Sequence, residues 1–417
     1  MPQTKQIAGY VALCAGLIFL GVSPSLGGGL LDELFAQAQN HPSVLVAQKN
    51  QRASEHDLTA ALWLQFPSLS VEAKKKFSTP DQLALQIEQP LWDGGFISNS
   101  IKEAKINLDI ADLTVQEQIL KIKKSIAEGY LNVLKSQELI FISEQNRRSL
   151  KRLLETLNLR VEQKISPRSE LAIVQARLSQ AQSENFRLSG ELRKSQEQVT
   201  EASGRTIKKA HTLTCKIPLG IVLSDYAWIA ETKALILKRL DAEKEKTRNE
   251  IEKIKANIFP KFSVGYENVR ESGFHSSPSS SVFFSFKYQL SNGLSLFPKI
   301  ESAGAQLLRS ENTIQEQKAI LRKEVNSLIA QYISAQNMVS PLQNLIKTNS
   351  EQIRSYLKQY SVGRKSWLDV INAQRDFVQA KISLVEAENT CCRAALNLQL
   401  LTDIKMVDEE EAKQHEP

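Results

Sequence analysis

Gln89-Pro90-Leu91-Trp92-Asp93-Gly94-Gly95 ends a segment of alternating apolar and polar residues. Tyr288-Gln289-Leu290-Ser291-Asn292-Gly293 ends another, with Asp93 and Asn292 separated by 199 positions. Working outward, Glu170 and Asp369 show the same offset, as do Gln175 and Gln374, and Gln180-Ala181 and Gln379-Ala380. A constant offset over this length marks an internal duplication. Upstream, Phe66-Pro67-Ser68-Leu69-Ser70-Val71 matches Phe259-Pro260-Lys261-Phe262-Ser263-Val264 at an offset of 193, so the second copy carries six extra residues between its strands. They fall naturally in the Ser/Gly/Pro-rich stretch Glu271–Ser281, where insertion costs little.

Each copy reads as a helix, a strand pair and a long helical tract. Leu69, Val71 and Ala73 alternate with Ser68, Ser70 and Glu72, and Leu83, Leu85, Ile87 and Leu91 alternate with Gln82, Ala84, Gln86 and Glu88. In the second copy Val282, Phe284, Phe286, Tyr288 and Leu290 share one parity against Ser281, Ser285, Lys287 and Gln289, and Phe283 breaks the polar set. Two-faced segments of about ten residues are the signature of membrane barrel strands. A soluble sheet packed on helices produces the same alternation. Four strands cannot close a barrel, and open edges are not tolerated in lipid. A barrel therefore requires several chains to pool their strands.

After each strand pair comes a tract poor in Pro and Gly. Ile119, Ile122, Ile126, Tyr130, Val133 and Ile140 step mostly by three and four, which predicts a long helix with a coiled-coil-like seam. A helix over Phe96–Arg160 would reach roughly 100 Å at about 1.5 Å per residue. Pro167 and Gly363 interrupt the two tracts and read as tips of helical hairpins, each followed by another helix, from Ser169 to about Thr200 and from Leu368 to about Leu400.

Composition agrees with thin helical assemblies. Aromatic residues are only 6% of the 417, as expected where narrow seams are buried and no thick core needs filling. The net charge of +7 invites a nucleic-acid reading, but Lys and Arg are interspersed with Glu and Asp and only Lys74-Lys75-Lys76 forms a run, so no nucleic-acid partner is expected. Residues 1–29 read as a signal peptide, with Lys5 ahead of the apolar run Ile7–Val22; an N-terminal anchor is the alternative, although the run is short for a span of about 20 residues. Beyond it Cys215, Cys391 and Cys392 are odd in number and two are adjacent, so three free thiols are expected. His41, His56, His211, His275 and His415 are scattered without ligand spacing, and neither a nucleophile motif nor a phosphate loop is present. No enzymatic activity, metal or cofactor is expected.

Gln89-Pro90-Leu91-Trp92-Asp93-Gly94-Gly95, together with Tyr360-Ser361-Val362-Gly363 and Trp367-Leu368-Asp369-Val370-Ile371-Asn372-Ala373-Gln374, resembles the TolC-like outer-membrane efflux and secretion proteins over nearly the whole chain. The resemblance implies a mainly α fold with a small β portion. Three chains would give four strands each to a twelve-stranded membrane barrel, above a coiled-coil helical barrel in the periplasm. On this reading 30–205 is the first repeat, with strands at 67–77 and 82–91. Residues 206–228 form an equatorial connection, 229–403 the second repeat with strands at 262–271 and 281–290, and 404–417 a disordered acidic tail. The implied partners are outer-membrane lipid, two further copies, a periplasmic adaptor and an ABC or proton-driven inner-membrane transporter. The chain would be the exit duct for efflux or type I secretion; the alternative is a non-channel coiled-coil scaffold or adaptor of the envelope.

The resemblance also assigns residues. Asp369 would face its symmetry mates across a closed periplasmic aperture, and Asn372 stands where a second acidic residue is found, which implies a single acidic ring. Tyr360 matches a gate tyrosine, and Lys365 stands where an arginine is usual. With Ser169 and Glu170 as the corresponding partners in the first repeat, Lys365–Glu170 and Tyr360–Ser169 would form a latch. Lys164, Ile165, Ser166 and Pro167 at one tip, and Val362, Gly363 and Arg364 at the other, would contact the adaptor. Lys164 lies opposite Gly363, so a differently shaped first turn is expected, because glycine alone takes positive φ at no steric cost.

Overall fold

The computed structural model describes residues 29–75, 82–211, 213, 215, 217, 223–271, 278–288 and 295–404. Residues 1–28 and 405–417, which hold nearly all of the expected signal peptide and acidic tail, lie outside them. Short helices α1 (Gly29–Gln37) and α2 (Pro42–Trp63) lead into strands β1 (Ser68–Lys74) and β2 (Gln82–Trp92). Then come α3 (Phe96–Glu162) and α4 (Arg168–Ser203), and after the connection α5 (Leu223–Lys233), α6 (Leu235–Ala256), β3 (Lys261–Glu271), β4 (Ser279–Lys287), α7 (Leu296–Ser361) and α8 (Trp367–Thr402).

The duplication is carried by the elements themselves. Helix α6 repeats α2 with both ends shifted by 193 (42 to 235, 63 to 256), and α8 repeats α4 with both ends shifted by 199 (168 to 367, 203 to 402). The start of β3 keeps the offset of 193 from the start of β1 (68 to 261), so the change of offset falls after it, between the two strands of the second copy, as the motifs indicated; residues 272–277 of the inserted stretch lie outside the described residues.

The four strands form one antiparallel sheet in the order β1-β2-β3-β4. Its register sorts most side chains into two faces, with Asn268, Arg270 and Ser280 interrupting the apolar one and Ala84 and Val269 the polar one. Leu69, Ile87, Tyr266 and Val282 form one cross-strand row, flanked on the same face by Val71, Leu83, Leu85, Val264, Phe284, Phe262 and Phe286. The opposite face carries Ser70, Gln86, Glu267 and Ser281 in one row, and Ser68 and Glu88 in the next. The apolar face is uncovered, with Phe284 82% and Val282 70% exposed. In a soluble sheet this is the face that helices would cover, so its exposure favours a lipid-facing surface. Strand β2, at 11 residues, is long enough at about 3.4 Å per residue to cross an apolar band of about 25 Å when tilted.

At the base of the sheet Trp92 packs on Phe259 (centroids 5.8 Å apart) and Phe262 (5.7 Å), and Phe262 on Phe286 (5.2 Å), the girdle expected at a membrane boundary. The Asp93-Gly94-Gly95 turn then redirects the chain into α3. Asp93 accepts from the backbone N–H of Gly95 (3.0 Å) and Ile97 (2.6 Å), which satisfies the first turn of the helix. Gly94 and Gly95 both have positive φ (69° and 91°), and a Cβ on Gly94 would meet the Cβ of Phe259 at 2.6 Å and the carbonyl of Ala256 at 2.8 Å. Its counterpart Asn292-Gly293 lies outside the described residues.

Helices α3 with α4, and α7 with α8, form two long antiparallel hairpins, while α6 packs between α3 and α7. The 67 residues of α3 give about 100 Å of helix. Much of the mixed charge pairs between helices: Arg239 with Glu117 (3.0 Å), Lys253 with Glu103 (2.5 Å) and Lys124 with Glu324 (3.7 Å). Two apolar cores lie at the equator. One gathers Ile126, Tyr130, Leu131 and Val199 with α1 and α2; the other gathers Tyr332, Val325, Ala394, Ala395 and Leu398 with α5. Among the described residues no helix is long and apolar enough to cross a membrane.

The connection at 206–228 runs into helix α5, whose Tyr226 and Ala230 are buried in the second equatorial core. One expectation is corrected. Cys215 and Cys392 are bonded to each other across 177 residues, leaving Cys391 as the free thiol among the described residues. Spacing could not show this, because the connection folds back onto α8 only in three dimensions.

Candidate functional site at the hairpin tips

Both tips turn in the same way. Lys164 (φ 58°) and Gly363 (φ 73°) occupy equivalent left-handed positions. The next N–H reaches back five residues in each case, Ile165 to the Arg160 carbonyl (2.8 Å) and Arg364 to the Gln359 carbonyl (2.9 Å). This is the Schellman pattern that ends many helices. The expected difference in shape between the turns is therefore absent: the hydrogen bonds impose the left-handed residue, and Lys164 takes that conformation at a steric cost of about 1–2 kcal/mol.

The second helices start differently. Pro167, extended at φ −74° and ψ 151°, precedes α4. Helix α8 starts with a reciprocal cap in which Asp369 N–H donates to Ser366 Oγ (3.2 Å), while Asp369 Oδ2 accepts from Ser366 N–H (3.0 Å) and Oγ–H (2.8 Å). Lys365 Nζ lies 3.9 Å from the same oxygen. The Ser366 hydroxyl first, then its N–H and the Lys365 charge, hold the Asp369 carboxyl below the usual range, so it is ionised at neutral pH.

A small core joins the two tips of one chain. Leu157, Val174, Trp367, Val370 and Ile371 are buried together with Tyr360, whose ring centroid is 4.8 Å from that of Trp367. The Tyr360 hydroxyl lies 3.2 Å from Ser166 Oγ, and the Arg160 guanidinium sits 4.5 Å from the centre of its ring. Within one chain the residues of the expected latch have other partners, while the latch itself was expected to hold a neighbouring coil. Tyr360 bonds to Ser166 in the turn, not to Ser169 on the first turn of α4. Lys365 turns to Asp369 and to the Tyr356 ring (4.7 Å), not to Glu170, because Asp369 stands one helical turn from it on the same face. Glu170 Oε2, Arg160 Nε and Trp367 Nε1 are buried without a hydrogen-bond partner in this chain. Arg160 was missed in sequence reasoning; its place one turn before Lys164 was the available signal.

Ile165 (59%), Val362 (69%) and Leu368 (54%) leave apolar side chains exposed at the tips. Asn372 is half-buried on α8, one turn beyond Asp369. Among the described residues no cluster of His, Cys, Asp and Glu could hold a metal.

Two long helical hairpins joined to a four-stranded sheet are the arrangement of outer-membrane channel subunits. The family profile described as Outer membrane efflux protein matches residues 36–205 and 232–402, and the chain belongs to that family. Its members are passive channels and not enzymes. Solved structures with the same fold include the transmembrane channel CusC, at 15% identity and TM-score 0.80 over 92% of this chain and 95% of that one. VceC of Vibrio cholerae matches at 14% identity and 0.77, over 90% and 95%. The CmeC channel of Campylobacter jejuni matches at 11% and 0.78, over 92% and 88%. A search of curated proteins gave no match by sequence.

Proposed function

We propose that three copies of this chain assemble into an outer-membrane exit duct, each giving its four strands to a twelve-stranded barrel with the helical tube in the periplasm. The observation that carries this reading is the sheet itself: an uncovered apolar face, with β1 and β4 left as outer edges. Unpaired strand edges in lipid cost several kcal/mol per orphaned group, and joining β1 of one copy to β4 of the next removes them. The duct would receive cargo from a periplasmic adaptor and an inner-membrane transporter, in efflux or in type I secretion. The exposed Ile165, Val362 and Leu368 suit contact with the adaptor, beside Lys164, Ser166, Pro167, Gly363 and Arg364.

At the tip, Asp369 and Asn372 would line the aperture. The capping bonds of Asp369 both end on Oδ2, which leaves Oδ1 to face the axis. Three such carboxylates would attract cations as acidic rings do in channels. The latch would be Tyr360 with Ser166 inside each chain, beside Lys365, Ser169 and Glu170.

Fractionation tests the reading. The chain should sediment with outer membranes and, in detergent, run as a heat-modifiable trimer. A water-soluble monomer would remove the proposal and favour the envelope scaffold.

A further inference from the structure

We propose that the Cys215–Cys392 bridge is a redox-sensitive bolt that fixes the equatorial connection to the upper part of α8, confining movement of the second hairpin to the part below Asn389. The connection is held in two halves. On the first repeat, Tyr130 bonds both the N–H (2.8 Å) and the carbonyl (2.9 Å) of His211, and Gln137 takes the Ala210 N–H (3.2 Å) and donates to the Lys208 carbonyl (3.3 Å). On the second, Ile217 N–H donates to the Tyr332 hydroxyl of α7 (3.3 Å), and the covalent tie to α8 is the bridge.

The same stretch of α8 is fastened to α3. Asn389 donates to the Leu131 carbonyl (2.9 Å), and Arg393 to Asn132 Oδ1 (2.9 Å). Around them Ala394, Ala395 and Leu398 are buried with Ile217, Tyr226 and Ala230. The tip core at Val370 lies some 20 residues further along, roughly 30 Å at about 1.5 Å per residue. In between, the ties from α8 to α3 are made by exposed or half-exposed side chains, such as Gln374–Asn146 (3.4 Å) and Lys381–Gln145 (3.2 Å). The bridge also closes a covalent loop that contains α5, α6, β3, β4 and α7. A bridge of this kind persists in an oxidising compartment. Burial raises the Cys391 thiol above its ordinary range, which makes it a poor nucleophile toward its neighbour.

The test uses the full chain purified in detergent. Under non-reducing conditions, tryptic mapping should give the peptide containing Cys215 linked to the peptide Ile382–Arg393, with Cys391 alkylated. Reduction of the folded protein should speed hydrogen exchange in 205–217 and 389–402 by at least about tenfold, the signature of a lost local tie, while 360–375 is unchanged. Cys215→Ser should reproduce this without reductant, and Cys391→Ser should leave the linked peptide in place. The proposal is overturned if all three thiols are alkylated before reduction, if exchange is unchanged after it, if the loss runs evenly down to the tip, or if Cys391→Ser removes the linked peptide.

Discussion

Phe283 lies directly across the sheet from Gly265, and a Cβ placed on Gly265 would come within 2.7 Å of Phe283 Cε1. The ring covers bare backbone on the mainly polar face. Phe283 therefore breaks the alternation of β4 for a local reason, and the two-faced character of the sheet stands.

This pairing predicts coupling. Gly265→Ala should displace the ring and lower assembly stability by about 1–3 kcal/mol, read as a lower temperature at which the heat-modifiable species is lost. Phe283→Ala should also destabilise, and the double variant should cost clearly less than the sum of the two. Strict additivity would show that the contact is irrelevant.

The two tips offer a matched pair. Lys164→Gly removes the steric cost of positive φ, partly offset by the greater freedom of the unfolded chain, and should stabilise the first turn by up to about 1 kcal/mol. Gly363→Ala, with open space around the added methyl, should destabilise the second by about the same amount. Hydrogen exchange of the tip amides should move in opposite directions, severalfold in each case.

Tyr360→Phe and Ser166→Ala each remove the hydroxyl contact between the hairpins of one chain. Each should raise the open fraction in planar bilayers by a factor corresponding to about 0.5–1.5 kcal/mol. The double variant should match the larger single one. A further increase in the double variant would mean that the two hydroxyls act separately.

Asp369 carries a pH dependence whose sign is fixed. Its folded-state pKa is depressed by Ser366 and Lys365, so its contribution is present above the unfolded value near 4 and is lost as pH falls through the lower folded value. Block of conductance by a multivalent cation added from the tip side should likewise weaken as the carboxylate is neutralised. Asp369→Asn should lose the block at every pH, and Asn372→Asp should strengthen it. Equal block in Asp369→Asn would place the ring elsewhere.

Much of the fold was legible because it is written twice. Offsets of 193 and 199 recur at the ends of α2 and α6 and of α4 and α8, and the strand alternation survives as two faces of one sheet. What was hidden depends on how the chain folds back. Cys215 meets Cys392 only because the connection lies on α8. Within the chain Tyr360 meets Ser166 because the turn of the first hairpin faces its ring. Helix α5 was missed because it is short and its buried positions Tyr226 and Ala230 show helical spacing over too few residues to stand out.

Sharing of the sheet is tested most directly by joining its edges. Cysteines placed singly on β1 (Ser68, Ser70 or Glu72) and on β4 (Ser281 or Ser285) of one chain should, in at least one pairing, cross-link between copies on oxidation in the membrane. The resulting ladder should end at three chains, because a closed ring has no free edge left. Monomers in every pairing, or a ladder that continues past three, would contradict a barrel closed by three subunits.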